Sequence, residues 1–152
     1  MDKKESSGVL NRFADKDCRL SSAQKNSIVF LNSDMSRKIW NDFISDKNHL
    51  FLMDNNEYIL SRQFRVINTD DRDFCYTKRK LEKFFSGASF IIALWGPECG
   101  ALCSPSILAD AWDDFFYPSD ENTVVVGFPN GRCVFSFETN LYLTKARKID
   151  RK

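Results

Sequence analysis

Ser104-Pro105-Ser106-Ile107-Leu108-Ala109-Asp110-Ala111-Trp112-Asp113-Asp114-Phe115-Phe116-Tyr117 opens a folding unit that extends to Leu143. Ile107, Leu108, Ala111, Trp112, Phe115 and Phe116 recur at helical spacing and form one apolar stripe. Ser104 suits the N-cap. Pro105 suits the first helical position, where its missing N–H would be unpaired in any case. Pro118 cannot continue the helix and turns Tyr117 away from the α conformation. Beyond it, Thr123–Phe128 and Arg132–Phe137 flank Pro129-Asn130-Gly131, a hairpin signal with a permissive glycine.

Upstream, Ser89-Phe90-Ile91-Ile92-Ala93-Leu94-Trp95 is the most continuous apolar run and reads as a central strand covered on both faces. Residues 96–100 read as the turn that leads to the Ser104 helix. Thr77–Ser86 reads as a helix carrying Leu81, Phe84 and Phe85, with Gly87 as its terminator. The polar run 68–73 is a loop. In the first half, Ser27–Leu31 reads as a strand and Met35–Ser45 as a helix with Ile39, Trp40, Phe43 and Ile44 on one face. His49–Met53 and Glu57–Leu60 around Asp54-Asn55-Asn56 suggest a hairpin, and Gln63–Ile67 a further strand. Asn140–Thr144 extends the last strand or adds one. The expected fold is α+β: a single mostly antiparallel sheet with about three helices packed on it. Residues 1–26 are expected as a polar, partly disordered extension, 27–144 as one α+β domain, and 145–152 as a basic tail.

The chain has 152 residues, 43% hydrophobic and 28% charged, enough for one domain with a sizeable core. Its 14 Phe, 4 Tyr and 3 Trp point to an aromatic core, with some rings available as exposed anchors for a partner. A net charge of +1 sets up no global field toward nucleic acid or a membrane, so neither is the expected partner. No apolar run approaches the roughly 20 residues that span a bilayer. Residues 1–8 lack the apolar segment of a secretory signal. Five cysteines at irregular spacing fit reduced thiols in the cytoplasm better than a disulfide framework.

Cys99 and Cys103 form one C-x-x-x-C pair, but a zinc site normally takes four nitrogen or sulfur ligands. Cys18, Cys75 and Cys133 are isolated, and His49 is the only histidine. A Cys–His enzyme would need His49 to meet Cys99 or Cys103, and neither carries a local signature. No glycine-rich phosphate loop, dinucleotide fingerprint or nucleophile elbow occurs, so neither a metal nor a cofactor is expected. The carboxylates are more informative. Asp110, Asp113, Asp114, Asp120 and Glu121 gather on and just after the Ser104 helix, where helical spacing makes the first three repelling neighbours. Such a cluster is either a solvated polar face or a seat for a cation or a basic partner. Lys78, Arg79, Lys80 and Lys83 crowd the Thr77 helix, and further cations fill the tail. Contact with RNA or DNA is conceivable there but has no supporting motif.

Trp112-Asp113-Asp114-Phe115-Phe116-Tyr117-Pro118-Ser119-Asp120, followed by Val124-Val125-Val126 and Val134-Phe135-Ser136-Phe137-Glu138, resembles a loose group of small bacterial proteins. Leu94-Trp95-Gly96-Pro97 upstream belongs to the same likeness. These look like immunity proteins of polymorphic toxin and contact-dependent inhibition systems. The likeness covers about Phe90 to Leu143, a little over a third of the chain. It implies a cytoplasmic, non-enzymatic protein that binds a cognate protein toxin stoichiometrically. A nuclease toxin would present a basic cleft, on which Asp110, Asp113, Asp114, Asp120 and Glu121 would dock, with Tyr117 or Tyr142 as an aromatic anchor. Two other readings stay open: an adaptor or structural domain that binds a different protein, and a small hydrolase using the carboxylates or a cysteine.

Overall fold

In the computed structural model, which describes residue 13 and residues 18–54, 57–61, 65–71, 73–117 and 122–147, the long apolar run is β3, Phe90–Trp95. Successive side chains of a strand point to opposite faces. Ile91 and Ala93 therefore enter one core, and Ile92 and Leu94 enter another on the far side of the sheet. The same alternation sends Val125 one way and Val124 and Val126 the other, and it separates Val134 from Cys133 and Phe135. Two-sided burial is why these strands read as continuous apolar runs instead of alternating ones.

Among the described residues, seven strands form one antiparallel sheet. They are β1 (Val29–Leu31), β2 (Arg65–Asn68), β3, β4 (Gly100–Cys103), β5 (Thr123–Phe128), β6 (Arg132–Phe137) and β7 (Asn140–Lys145). Their spatial order is β1-β4-β3-β5-β6-β7-β2, so both edges come from the first half of the chain. The β5–β6 hairpin turns at Gly131, whose φ of +74° suits glycine, while the Asn130 Oδ1 accepts the Arg132 N–H at 3.1 Å.

Helices cover both faces of the sheet, as the two-sided burial of β3 requires, and they are more numerous than the three expected. On the first face lie α4 (Phe74–Phe84), α5 (Pro105–Asp110) and α6 (Trp112–Phe115). They deliver Leu81, Phe84, Phe85, Ile107, Leu108, Trp112 and Phe115 to the core, together with Phe13 and Leu20 from the polar N-terminal region. On the second face lie α2 (Ser33–Ile39), its wider π-turn continuation Trp40–Ile44, and α3 (Tyr58–Ser61). Asn32 caps α2 by accepting the Met35 N–H at 2.8 Å. Trp40 is fully buried there, and its indole N–H donates to the Lys47 carbonyl at 2.6 Å. Asp73 caps α4 by accepting the Tyr76 N–H, which starts that helix three residues before the expected Thr77.

Three expectations need correction. The hairpin read at 49–60 is a 3-10 turn, Leu50–Leu52, followed by α3. Leu50 and Met53 both enter the second core, and two positions three apart share a face on a helical turn but not on a strand. Asn122 Oδ1 takes the Leu50 N–H at 3.0 Å, replacing a ladder bond. Between the turn, which ends at residue 99, and Ser104 lies a strand that the sequence reading omits, β4, which takes Gly100 from the expected turn. Its first residue is glycine because a Cβ there would lie 2.9 Å from the Leu94 side chain. Finally, the helix expected to run unbroken to Tyr117 breaks at Ala111, whose φ, ψ of −139°, 39° are not helical. Across that break, Trp112 stacks on Phe74 at 5.3 Å and donates its indole N–H to the Phe74 carbonyl, while the Phe115 carbonyl accepts the Trp95 indole N–H. Asp110 therefore does not share a continuous helical face with Asp113 and Asp114.

Candidate functional site

The acidic cluster meets a basic partner inside the same chain. After Leu20 enters the core, the short helix α1 (Ser22–Asn26) lies on the surface and reaches α5 through Gln24. It is fixed by a capping box: Ser21 accepts the Gln24 N–H at 3.1 Å, and the Gln24 Oε1 accepts the Ser21 N–H at 2.9 Å. The remaining Gln24 amide donates to Asp110 at 3.0 Å, and Lys78 of α4 reaches the other Asp110 oxygen at 3.1 Å. Arg19 takes the other two acids. Its Nε lies 3.4 Å from Asp113, and its backbone N–H donates to Asp114 at 3.4 Å. Its guanidinium sits 3.8 Å from the centroid of the Phe74 ring, a cation–π contact.

This joint is built but not tight. The Arg19 and Asp113 side chains are 50% and 41% exposed, and pairs of that kind contribute about 0–1 kcal/mol. The second oxygen of Asp113 is shielded and makes no hydrogen bond among the described residues. Burial pushes the Asp114 carboxyl above its ordinary range and the Asp113 charge adds to this, against hydrogen bonds from Cys18 and Arg19. Burial likewise raises the Cys18 thiol. The Asp110 carboxylate raises the Lys78 ammonium. Tyr117, two residues beyond α6, is half-buried. Asp120 and Glu121 lie outside the described residues.

The residues considered for enzyme chemistry sit differently. Cys103 is buried, and its thiol is pushed up to about 12, so it carries no thiolate at neutral pH. Burial also raises Cys133, whereas Cys75 is exposed. Among the described residues, no group of three His, Cys, Asp or Glu side chains converges as a metal site would require. No helix among them is long and apolar enough to cross a membrane.

At the other end of α4 a second charged feature appears. A cleft of about 230 Å³ is lined by Arg65, Lys80, Lys83, Phe84, Arg132 and Leu143. Lys80 and Lys83 belong to the basic run of α4 that is visible in the sequence. Arg65 and Arg132 were not singled out there. They stand two residues before Ile67 and Val134, which face the first core, so the strand period aims both arginines at the same side of the sheet as α4. A cation at an inward register position was the available signal. The chain matches no protein-family model, and comparison with curated proteins and with solved structures likewise returns no match.

Proposed function

We propose that the protein works without turnover, as a cytoplasmic immunity-type binding protein that neutralises a cognate toxin by forming a stoichiometric complex. The observation that carries this reading is the loose joint between Arg19 and the Asp113–Asp114 pair. Here an acidic surface shaped around a guanidinium is held by a contact that costs little to exchange. A basic loop of a partner takes the place of Arg19 and brings a donor to the unsatisfied Asp113 oxygen. Tyr117, two residues beyond α6, serves as the aromatic anchor.

The test is co-expression with the product of the neighbouring gene, scored by growth and by co-purification. The expected result is a neighbour that is toxic alone, harmless beside this protein, and co-eluting with it. Changing Asp113 and Asp114 together to Lys should abolish the complex. Arg19→Ala removes the internal competitor and should tighten the complex, by at most about fivefold. A neighbour that stays toxic beside the wild-type chain removes the immunity reading. Capture of a harmless partner on the same surface moves the protein to the adaptor class.

A further inference from the structure

Independently of the toxin reading, we propose that the cleft between the last turn of α4 and strands β6, β7 and β2 binds a small ligand through a phosphate group. Four cations, Arg65, Lys80, Lys83 and Arg132, border one cavity of about 230 Å³, and no carboxylate lines it among the described residues. Among the described residues, the carboxylates that form ion pairs serve Arg19, Arg37, Lys38, Lys78 and Arg147, and none of the four cleft cations. Four like charges in one concavity repel each other, and a dianion relieves that repulsion better than a single carboxylate.

The geometry suits an oxyanion. β7 lies between β6 and β2, and the register pairs Arg65 with Leu143 and Val134 with the same Leu143. Arg132 is two residues beyond Val134. From strand spacing and rise, the two arginine Cα atoms stand about 12 Å apart with Leu143 between them. Arg132 is already positioned: it donates to the Phe84 carbonyl at 3.2 Å, and its guanidinium lies 5.3 Å from the centroid of the Phe84 ring. That leaves the rest of its donor fork for a ligand, and planar guanidinium forks match phosphate oxygens in pairs. Lys80 and Lys83 add point charges from the helix side. Phe84 and Leu143 form an apolar floor, which favours a phosphate carried on an organic body over the bare ion. The cavity's size and the chain's net charge of +1 favour a small ligand over a long polyanion.

The experiment is titration calorimetry of the full chain with adenosine monophosphate, inorganic phosphate and a short single-stranded RNA, each repeated at raised salt. The comparison variant is Arg65→Gln with Lys83→Gln, because neither side chain makes a hydrogen bond or ion pair among the described residues. Circular dichroism checks that this variant remains folded. Saturable binding of the mononucleotide, tighter than that of inorganic phosphate and weakened about tenfold or more in the double variant, is the expected result. Binding of RNA alone overturns the small-ligand assignment. Equal binding by wild type and folded variant, or no binding of any phosphate, overturns the site.

Discussion

The two ends of α4 face opposite electrostatic conditions. At its first turns Lys78 meets Asp110, Phe74 stacks on Trp112, and Arg19 closes over the same ring while reaching Asp113 and Asp114. At its last turns Lys80 and Lys83 join Arg65 and Arg132 around a cleft with no counter-charge among the described residues. In the sequence, the acidic cluster is the more conspicuous of the two, because its members are close neighbours along the chain. In the fold it is the more fully compensated. Proximity along the chain concentrates charge, but the long-range pairing decides which charge is left without a partner.

The comparison breaks first at its apolar support. Phe115 is fully buried and touches Phe13 at 5.0 Å and Trp95 at 5.9 Å between ring centroids. Phe115→Ala should cost about 3–5 kcal/mol, read from the urea midpoint. Phe13→Ala should cost a similar amount, since Phe13 is also buried in this cluster. A loss below about 1 kcal/mol for Phe13→Ala, within the range of surface changes, would mean that the N-terminal region only rests on the domain. The compensated end of α4 would then depend on its polar contacts alone.

A smaller effect is expected at the basic end. Arg132→Gln removes the hydrogen bond to the Phe84 carbonyl and the contact with its ring, and should cost about 1 kcal/mol. Lys83→Gln should leave the urea midpoint unchanged or raise it, because it relieves repulsion without removing a described contact. A clear loss of stability in Lys83→Gln would show that the cleft cations have partners after all and would erase the contrast between the two ends.

Thiol reactivity gives a third measure. At mildly alkaline pH, iodoacetamide should modify exposed Cys75 first, Cys18 more slowly because burial raises its thiol, and Cys103 and Cys133 only on unfolding. Arg19→Ala should speed the Cys18 reaction without changing that of Cys75. Peptide mass spectrometry over a time course separates these sites. An unchanged Cys18 rate in the variant would mean that Arg19 does not hold the joint closed.

The parts of the fold that were legible are those in which one local pattern determines one element. Ser104 and Pro105 announced α5, the Thr123–Phe137 hairpin carried its own turn, and β3 declared its two-sided burial by its unbroken apolar run. The misread parts depend on tertiary demands. Leu50 and Met53 adopt a 3-10 turn because both must reach the second core. Ala111 breaks the helix because Trp112 and Phe115 are held by Phe74 and Trp95. β4 is hidden because it is only four residues long and opens on Gly100, a turn-type residue that is required there by the nearby Leu94 side chain. The acids were visible as a cluster, but Arg19 and Gln24 lie more than eighty positions away from them, and no local pattern links the two. Arg65 and Arg132 escaped notice for the same reason.

The finest probe of the contrast is the pH dependence of Asp114. Its carboxyl is raised in the folded chain, chiefly by burial and then by Asp113. Between the ordinary value of 3.8 and the raised one, the folded state therefore holds more protons than the unfolded state. Stability then falls as pH rises through that window, and Asp114 opposes folding at neutral pH. This is the reverse of a carboxylate stabilised by an ion pair, whose contribution disappears on acidification. Asp114→Asn should be more stable than wild type at neutral pH, with the difference shrinking as pH falls toward 3.8 and vanishing below it. Urea unfolding of both proteins across that range makes the comparison. If the Asn variant is less stable at neutral pH, then the hydrogen bonds from Cys18 and Arg19 outweigh desolvation. The acidic end would then be firmly closed instead of poised for exchange, and the proposed displacement of Arg19 by a partner would lose its physical basis.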